Sequence, residues 1–402
     1  MLLAQVGYGR GSKVHEGLDE GTVTGAILSP KDEGRDRLEQ CVIDLRSSYS
    51  DSVVMIDPQF YVTTLNTPRD GHLPEYDYYA AHAGLGRTQF SPRQIERYVG
   101  DCLNYQHNSL DGISYLVSPN VMFDDFRDSW SQIALNMAEA AVDHRDRRLS
   151  DPVPLLVSIV TSEVALRSAT GLAEFLDALS SLEADGFYIL VHRNSSTYQA
   201  AMDPNAMANL MYMAYVLARV NDYQVFVGYS DWLGMLLQAV GTTGTASGWH
   251  QSLRQFNMGR FMPAEGGGRA RKRYSSAPLL SAPLLEPELE DIFRAGRIND
   301  VLTGSSHDAI LRGGPAAGAN RWTDPIACRA HWASLESILS PVSTGRIPSR
   351  LVAATQLIDQ AETLYARLAA RPNFVNFEAQ TGPGHLAQWR EAITAFRAMA
   401  GV

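Results

Sequence analysis

The sequence predicts an α/β chain built on a parallel sheet, and three observations carry that prediction. Short apolar runs rich in β-branched residues recur between residues 2 and 247. Segments of helical length separate them, the alternation expected of parallel strands with crossover helices. Several of those segments open with Ser-Pro or Asp-Pro, as at Ser29-Pro30, Ser91-Pro92 and Asp203-Pro204, which sets an N-cap before a proline at the first helical position.

Taken in order, the runs are LLAQVG (2–7), TVTGAIL (22–28), SVVMID (52–57), GISYLV (112–117), PLLVSIV (154–160), GFYILVH (186–192), YQVFVG (223–228) and TTGTAS (242–247). Helices are expected at 31–48, 91–108, 129–147, 168–184, 203–220 and 231–240. Residues 8–21 are glycine-rich without helical period, so the first β/α unit is expected to be irregular, and the first run's place in the sheet stays open. Eight strands at this rhythm resemble a (β/α)8 TIM barrel over residues 1–260, and no narrower family is identified. An open doubly wound sheet is disfavoured because no GxGxxG follows the first run. Residues 261–283 form a basic, Gly/Pro-rich loop. Residues 284–402 form a helical extension with helices at 286–302, 325–339, 348–371 and 384–400, expected to pack on the barrel.

The 402 residues can bury a large core, and 45% hydrophobic with 19% charged residues excludes a mainly disordered chain. Cys41, Cys102 and Cys328 are odd in number and far apart, which argues against a disulfide framework or a Cys-rich zinc motif and fits a reducing cytoplasm. No basic leader or long apolar stretch is present, so a cytoplasmic protein without membrane contact is expected. The net charge of −10 disfavours nucleic-acid binding by the whole surface but leaves room for a local basic patch.

A barrel builds its site at the carboxyl ends of its strands, so the residues closing each run are the candidates. Asp57, Glu163 and Asp231 close the third, fifth and seventh runs and His192 the sixth; these four are the catalytic candidates. Lys31, Gln59, Asn120, Arg193, Asn194, Tyr229, Trp249 and His250 are the expected substrate-binding residues. Strand alternation places Asp57 on the side of Val53 and Met55, His192 on that of Tyr188 and Leu190, and Asp231 on that of Val225, Val227 and Tyr229. Carboxylates spaced around a ligand suit cleavage at a glycosidic or N-glycosidic bond, one group acting as acid or base and another as nucleophile or water activator. The structural alternative for each is an ordinary helix or turn cap.

No HExxH, CxxC, EF-hand, P-loop or dinucleotide motif occurs, and no cofactor is predicted. Asp57, Glu163, His192 and Asp231 offer an alternative oxygen and imidazole set for a divalent Mg or Mn ion. Two long segments lie at the same end. Residues 58–90 carry Tyr61, His72, Glu75, Tyr76, Tyr78, Tyr79 and His82, suited either to covering a planar or sugar-like ligand or to packing on the rim. After the eighth run, Arg254, Arg260, Arg269, Arg271, Lys272 and Arg273 gather near Phe256, Phe261 and Tyr274. A phosphate-bearing substrate, or a nucleic-acid strand held by Arg269, Arg271, Lys272 and Arg273, is one expectation for this stretch, a solvated loop the other. The leading expectation is a barrel hydrolase or transferase acting on a C–O or C–N bond of a small anionic or nucleotide-like ligand. The alternatives are a metal-assisted barrel hydrolase or lyase and a barrel that binds a ligand or partner without catalysis. Oligomeric state is not readable from the sequence.

Overall fold

Each of the eight apolar runs forms a strand, and the eight close almost completely into a barrel. The computed structural model describes residues 1–79, 84–193, 200–263 and 271–402. Its strands are β1 (Leu2–Gln5), β2 (Gly25–Leu28), β3 (Val53–Ile56), β4 (Leu116–Val117), β5 (Met122–Phe123), β6 (Leu155–Ser162), β7 (Gly186–His192), β8 (Gln224–Val227) and β9 (Gly244–Ser247). All pairings are parallel, in the order β3-β2-β1-β9-β8-β7-β6-β4. The first run therefore lies inside the sheet, between β2 and β9.

The fourth barrel position is split. Both β4 and β5 pair with β6, and Asn120 fills the break between them, donating to the Ser158 carbonyl and accepting from the Val121 amide at 2.8 Å. The ring closes through one irregular contact: Ser114 N–H donates to Val54 O at 2.7 Å, and Ser114 Oγ accepts from Val54 N–H at 3.0 Å.

The helices around this sheet are α1 (Lys13–Asp19), α2 (Arg35–Ser48), α3 (Pro92–Ser109), α4 (Ser129–Arg148), α5 (Glu163–Leu166), α6 (Leu172–Ser180), α7 (Pro204–Tyr215) and α8 (Gly234–Ala239). Ser91 and Asp203 stand at the expected caps, Asp203 accepting from the Asn205 and Ala206 amides at the start of α7, whereas Ser29-Pro30 does not open α2, which begins at Arg35 after Gly34. The segment expected at 168–184 is shorter and follows a separate turn, α5.

Helix α1 corrects the expectation for residues 8–21. It carries no apolar stripe because its inward face is Val14 and Gly17, and Gly17 lies against Trp332, far along the chain. A Cβ at Gly17 would stand 2.7 Å from Trp332 Cζ3, so the close packing that makes the helix needs the residue that hides it in the sequence.

Trp332 belongs to the helix Asp324–Leu339, which packs between α1 and α8 over β1. Its indole N–H donates to Ser247 O at 2.9 Å, on the outer wall of β9. In sequence β9 is followed by only a short helix, Gln251–Arg254, so the outer helix that a barrel needs after its last strand is supplied by the extension. The helix Ile347–Ala369 lies on α8, and Gly384–Ala400 lies on α7 with Phe396 edge-on to Tyr215. No helix among the described residues is long and apolar enough to cross a membrane.

Candidate active site

Side chains of the barrel interior are identified by contacts across it. Phe226 meets Tyr115 from the opposite wall, and a Cβ at Gly228 would stand 2.6 Å from Tyr188 Oη. Phe226 and Gly228 therefore face inward, and Val225 and Val227 outward. Of the two phases that the sequence leaves open for this strand, the structure has the one that turns Val225 and Val227 outward. Tyr229 reaches the interior only because it adopts a left-handed conformation, φ 52°, just beyond the end of β8.

Asp57 stands at the centre of this interior, 2% exposed, at the exit of β3. Its Oδ2 accepts from Tyr61 Oη at 2.9 Å and its Oδ1 from the Gln59 amide at 3.1 Å. Burial pushes its carboxyl up to about 6, against the opposing pull of those two bonds, the Arg260 charge and the Tyr229 hydroxyl. Tyr61, Tyr188 and Tyr229 are all driven upward, mainly by burial, and stay protonated as neutral donors.

Arg260 comes from the segment after β9 and folds back into the mouth. Its Nη1 donates to Tyr229 Oη at 2.8 Å, and its Nη2 contacts Asp32. Asp32 also accepts from Ser29 Oγ at 2.8 Å and lies 3.4 Å from Lys31 Nζ. Gln59 ties the exits of β2 and β3 together, accepting from the Lys31 amide at 2.9 Å and donating to Ser29 Oγ at 2.9 Å. Phe256 covers the centre, edge-on to Tyr61 and His192 and tilted against Tyr229. The Met258 amide donates to His192 Nδ1 at 3.3 Å, which anchors the covering segment on the rim.

The other proposed catalytic groups lie elsewhere. Glu163 opens α5 at the rim, where it sits 3.8 Å from Arg193 Nε and accepts from the Asp203 amide at 3.3 Å. Arg193 is almost fully buried; its amide donates to Phe256 O at 2.9 Å, and its guanidinium reaches the Ala201 carbonyl. Asp231 corrects the sequence expectation outright. It also has positive φ, 45°, and its carboxylate leaves the barrel for the seam beneath the extension, 3.2 Å from His331 Nε2.

That seam is a closed polar network. Ser247 Oγ lies 2.9 Å from His331 Nε2, and Ser275 Oγ 2.8 Å from His331 Nδ1. Burial and the nearby Arg254 charge hold the imidazole down at about 4, so it is neutral, donates through Nε2 to Asp231 and accepts through Nδ1 from Ser275. Burial pushes the Asp231 carboxyl up, but the bonds from His331 and Ser247 and the Arg254 charge outweigh it and hold the group below the ordinary carboxylate range. The Ser–His–Asp order is that of a hydrolase triad, yet His331 has no exposed surface, and the arrangement serves as a clamp between wall and extension.

Asp57, Glu163, His192 and Asp231 are thus not gathered as a metal site. Among the described residues no three His, Cys, Asp or Glu groups are placed to hold an ion. Asn120 is a strand-break filler rather than a ligand contact. Trp249 donates to Tyr8 O at 3.0 Å beneath the Lys13 ammonium, and His250 stands exposed beside it. Asn194, His82 and Arg269 lie outside the described residues. Tyr76 and Tyr78 pack with Tyr105 and donate to the Glu33 and Pro58 carbonyls, so that part of the long connection is a wall of the fold. Arg271 pairs with Glu378 at 2.6 Å, Lys272 reaches the Ala319 carbonyl and Arg273 donates to Ala282 O at 2.8 Å, so these three are engaged within the chain.

The sequence brings Asp57 to the end of an inward-facing run, offers Tyr61 only as one aromatic of the long connection and Arg260 only as one cation of the basic stretch, and does not single out Tyr188 as a site residue. A tyrosine in mid-strand and an arginine in an irregular segment carry no local signal of where they point.

Fold and candidate site together define a (β/α)8 barrel with the buried Asp57 carboxyl, a tyrosine lining and the Arg260–Asp32 pair at the carboxyl ends of its strands. Compared with protein-family models and with curated proteins, the chain matches none.

Proposed function

We propose that this barrel is an enzyme that cleaves or transfers at a C–O or C–N bond, glycosidic or N-glycosidic, of a small anionic or nucleotide-like substrate. Asp57 is the general acid/base. The observation that carries this reading is its placement: a buried carboxyl inside the barrel mouth at the exit of β3, held at about 6 and bonded by a tyrosine hydroxyl. A group with that value exchanges a proton near neutral pH, which an ordinary surface aspartate does not do. Tyr61 orients the carboxyl and offers a neutral donor beside it. Arg260 is a fixed charge for negative charge developing at the reacting centre, in a mouth that Phe256 shields from water.

With Asp231 turned outward, a second carboxylate would have to be Glu163, which Arg193 holds at the rim. The chemistry therefore rests mainly on Asp57. A panel of phosphorylated and nucleotide-like glycosides, tested with wild type and with Asp57→Asn, checks this reading. The expected result is turnover reduced about 10²–10⁴-fold in the variant, the usual range for losing a general acid/base. Full turnover in Asp57→Asn overturns it. The Phe256 cover also favours a second reading, a barrel that binds without catalysis. That reading predicts tight ligand binding with no turnover by the wild type.

A further inference from the structure

We propose that Lys31, Arg69 and Arg260, grouped around Phe261 at the exits of β2 and β3, form an anion subsite that takes the phosphate monoester of the substrate. The inference deepens the reading above and rests on it only in assuming that the substrate enters at this mouth.

Three placements bring the cations together. Lys31 Nζ lies 5.8 Å and Arg260 Cζ 5.5 Å from the centre of the Phe261 ring. The Arg69 amide donates to Phe261 O at 2.6 Å, which pins the start of that side chain to the same residue. Asp32 is the one carboxylate in ion-pair contact with this group among the described residues. Arg260 engages it and Tyr229, whereas Lys31 shares the same carboxylate only at 3.4 Å. The Arg69 side chain is exposed and makes no ion pair among the described residues. Two cations are thus left without full counter-charge, and the complement is a dianion.

The frame holding them is rigid. The Lys31 amide is bonded to Gln59 Oε1, and its carbonyl accepts from the His72 amide at 3.0 Å, so the ammonium is carried on a backbone fixed from both sides. Its side chain is only 11% exposed. Burial weakens its hold on its own proton, Asp32 opposes that by charge and hydrogen bond, and the Arg260 and Arg69 charges add to the weakening, a condition that a bound anion relieves. An ammonium acting as a point charge beside arginine forks is a common way to bind phosphate.

The test is a 31P NMR titration of the full chain with inorganic phosphate and with ribose 5-phosphate at pH 7.5, and with acetate followed by protein chemical shifts. Both phosphates are expected to bind, and acetate at least tenfold more weakly. Lys31→Gln and Arg69→Gln should each lose tenfold or more in affinity. Arg69 is exposed, so its loss is not explained by misfolding. Asp57→Asn should bind phosphate as tightly as wild type or tighter. Absence of phosphate binding, acetate binding as tight as phosphate, or wild-type affinity in the Arg69 variant each overturns the subsite. The two proposals fail separately. Phosphate binding that needs Lys31 and Arg69, together with full turnover in Asp57→Asn, sinks the role of Asp57 and leaves the subsite standing. The reverse pattern sinks the subsite alone.

Discussion

His331 and Asp231 meet 3.2 Å apart across the seam between the helix Asp324–Leu339 and the outer wall of the barrel. Two residues before Asp231, Tyr229 turns inward and takes the Arg260 guanidinium. The two left-handed residues, Tyr229 and Asp231, let one short turn serve both sides of the wall, with the site inside and the clamp outside.

Two buried histidines make the fold sensitive to acid: His331 in the clamp, and His385 of the helix Gly384–Ala400, whose ring lies between Gly382 O and Leu280 O. His331 and His385 are both buried and held near 4, against an ordinary value of about 6.5. Protons therefore bind the unfolded chain more strongly between those values, and the histidines' contribution is lost as pH falls from about 6.5 to 4. Each is expected to remove up to about 3 kcal/mol over that range, at about 1.4 kcal/mol per pH unit. Urea unfolding at pH 7.5 and at pH 4.5 measures it, and His385→Asn should flatten the dependence.

Asp57 contributes with the opposite sign. Its folded value, about 6, lies above the ordinary 3.8, so its protonated form favours the fold below 3.8 and that benefit is lost as pH rises through 6. Ionised at neutral pH, the carboxylate is a liability of roughly 3 kcal/mol. Asp57→Asn should raise the thermal midpoint at pH 7.5, with little gain at pH 4, while removing activity. Gains of stability on losing a catalytic group are expected of strained sites.

Arg260→Ala leaves Asp32 buried without its guanidinium and Tyr229 without its partner. A cost of about 3–5 kcal/mol follows for breaking one side of a buried pair, measurable by denaturant unfolding. With the positive charge gone, the Asp57 carboxyl should rise further, so the lower limb of the pH–activity profile moves to higher pH. Arg260→Lys should keep that limb near its wild-type position.

In an ordinary helix, Gly→Ala stabilises by up to about 1 kcal/mol. Gly17→Ala should instead destabilise by about 1–3 kcal/mol, because the added methyl enters the space of the Trp332 ring. Thermal unfolding gives the sign, and limited proteolysis should show the extension released first.

A chain ending at residue 260 would lack the outer helix over β1 and β9 and expose Ser247 and its apolar neighbours. It is expected to aggregate or to lack a cooperative thermal transition by circular dichroism, whereas the full chain shows one.

The eight strands were legible because a buried parallel strand needs a continuous apolar run, as in GFYILVH and PLLVSIV, whatever surrounds it. Asp57 was legible for the same reason, since it ends such a run in the inward phase. Asp231 was not, because two positive-φ residues after β8 break the period on which the reading depended. Helix α1 was hidden because its packing face is a glycine fitted to a tryptophan more than three hundred positions away. Arg260 was legible only as one cation of the basic segment at the site end, and its seat against Tyr229 and Asp32 comes from the folded path of that segment.

The outer side of β1 acquires its helical cover only when residues 324–339 are made. During synthesis β1 emerges more than three hundred residues before that helix, and its outer side stays bare until the helix is made. Completion of the outer layer is thereby tied to the extension, so a product truncated before residue 324 does not pass for a finished barrel.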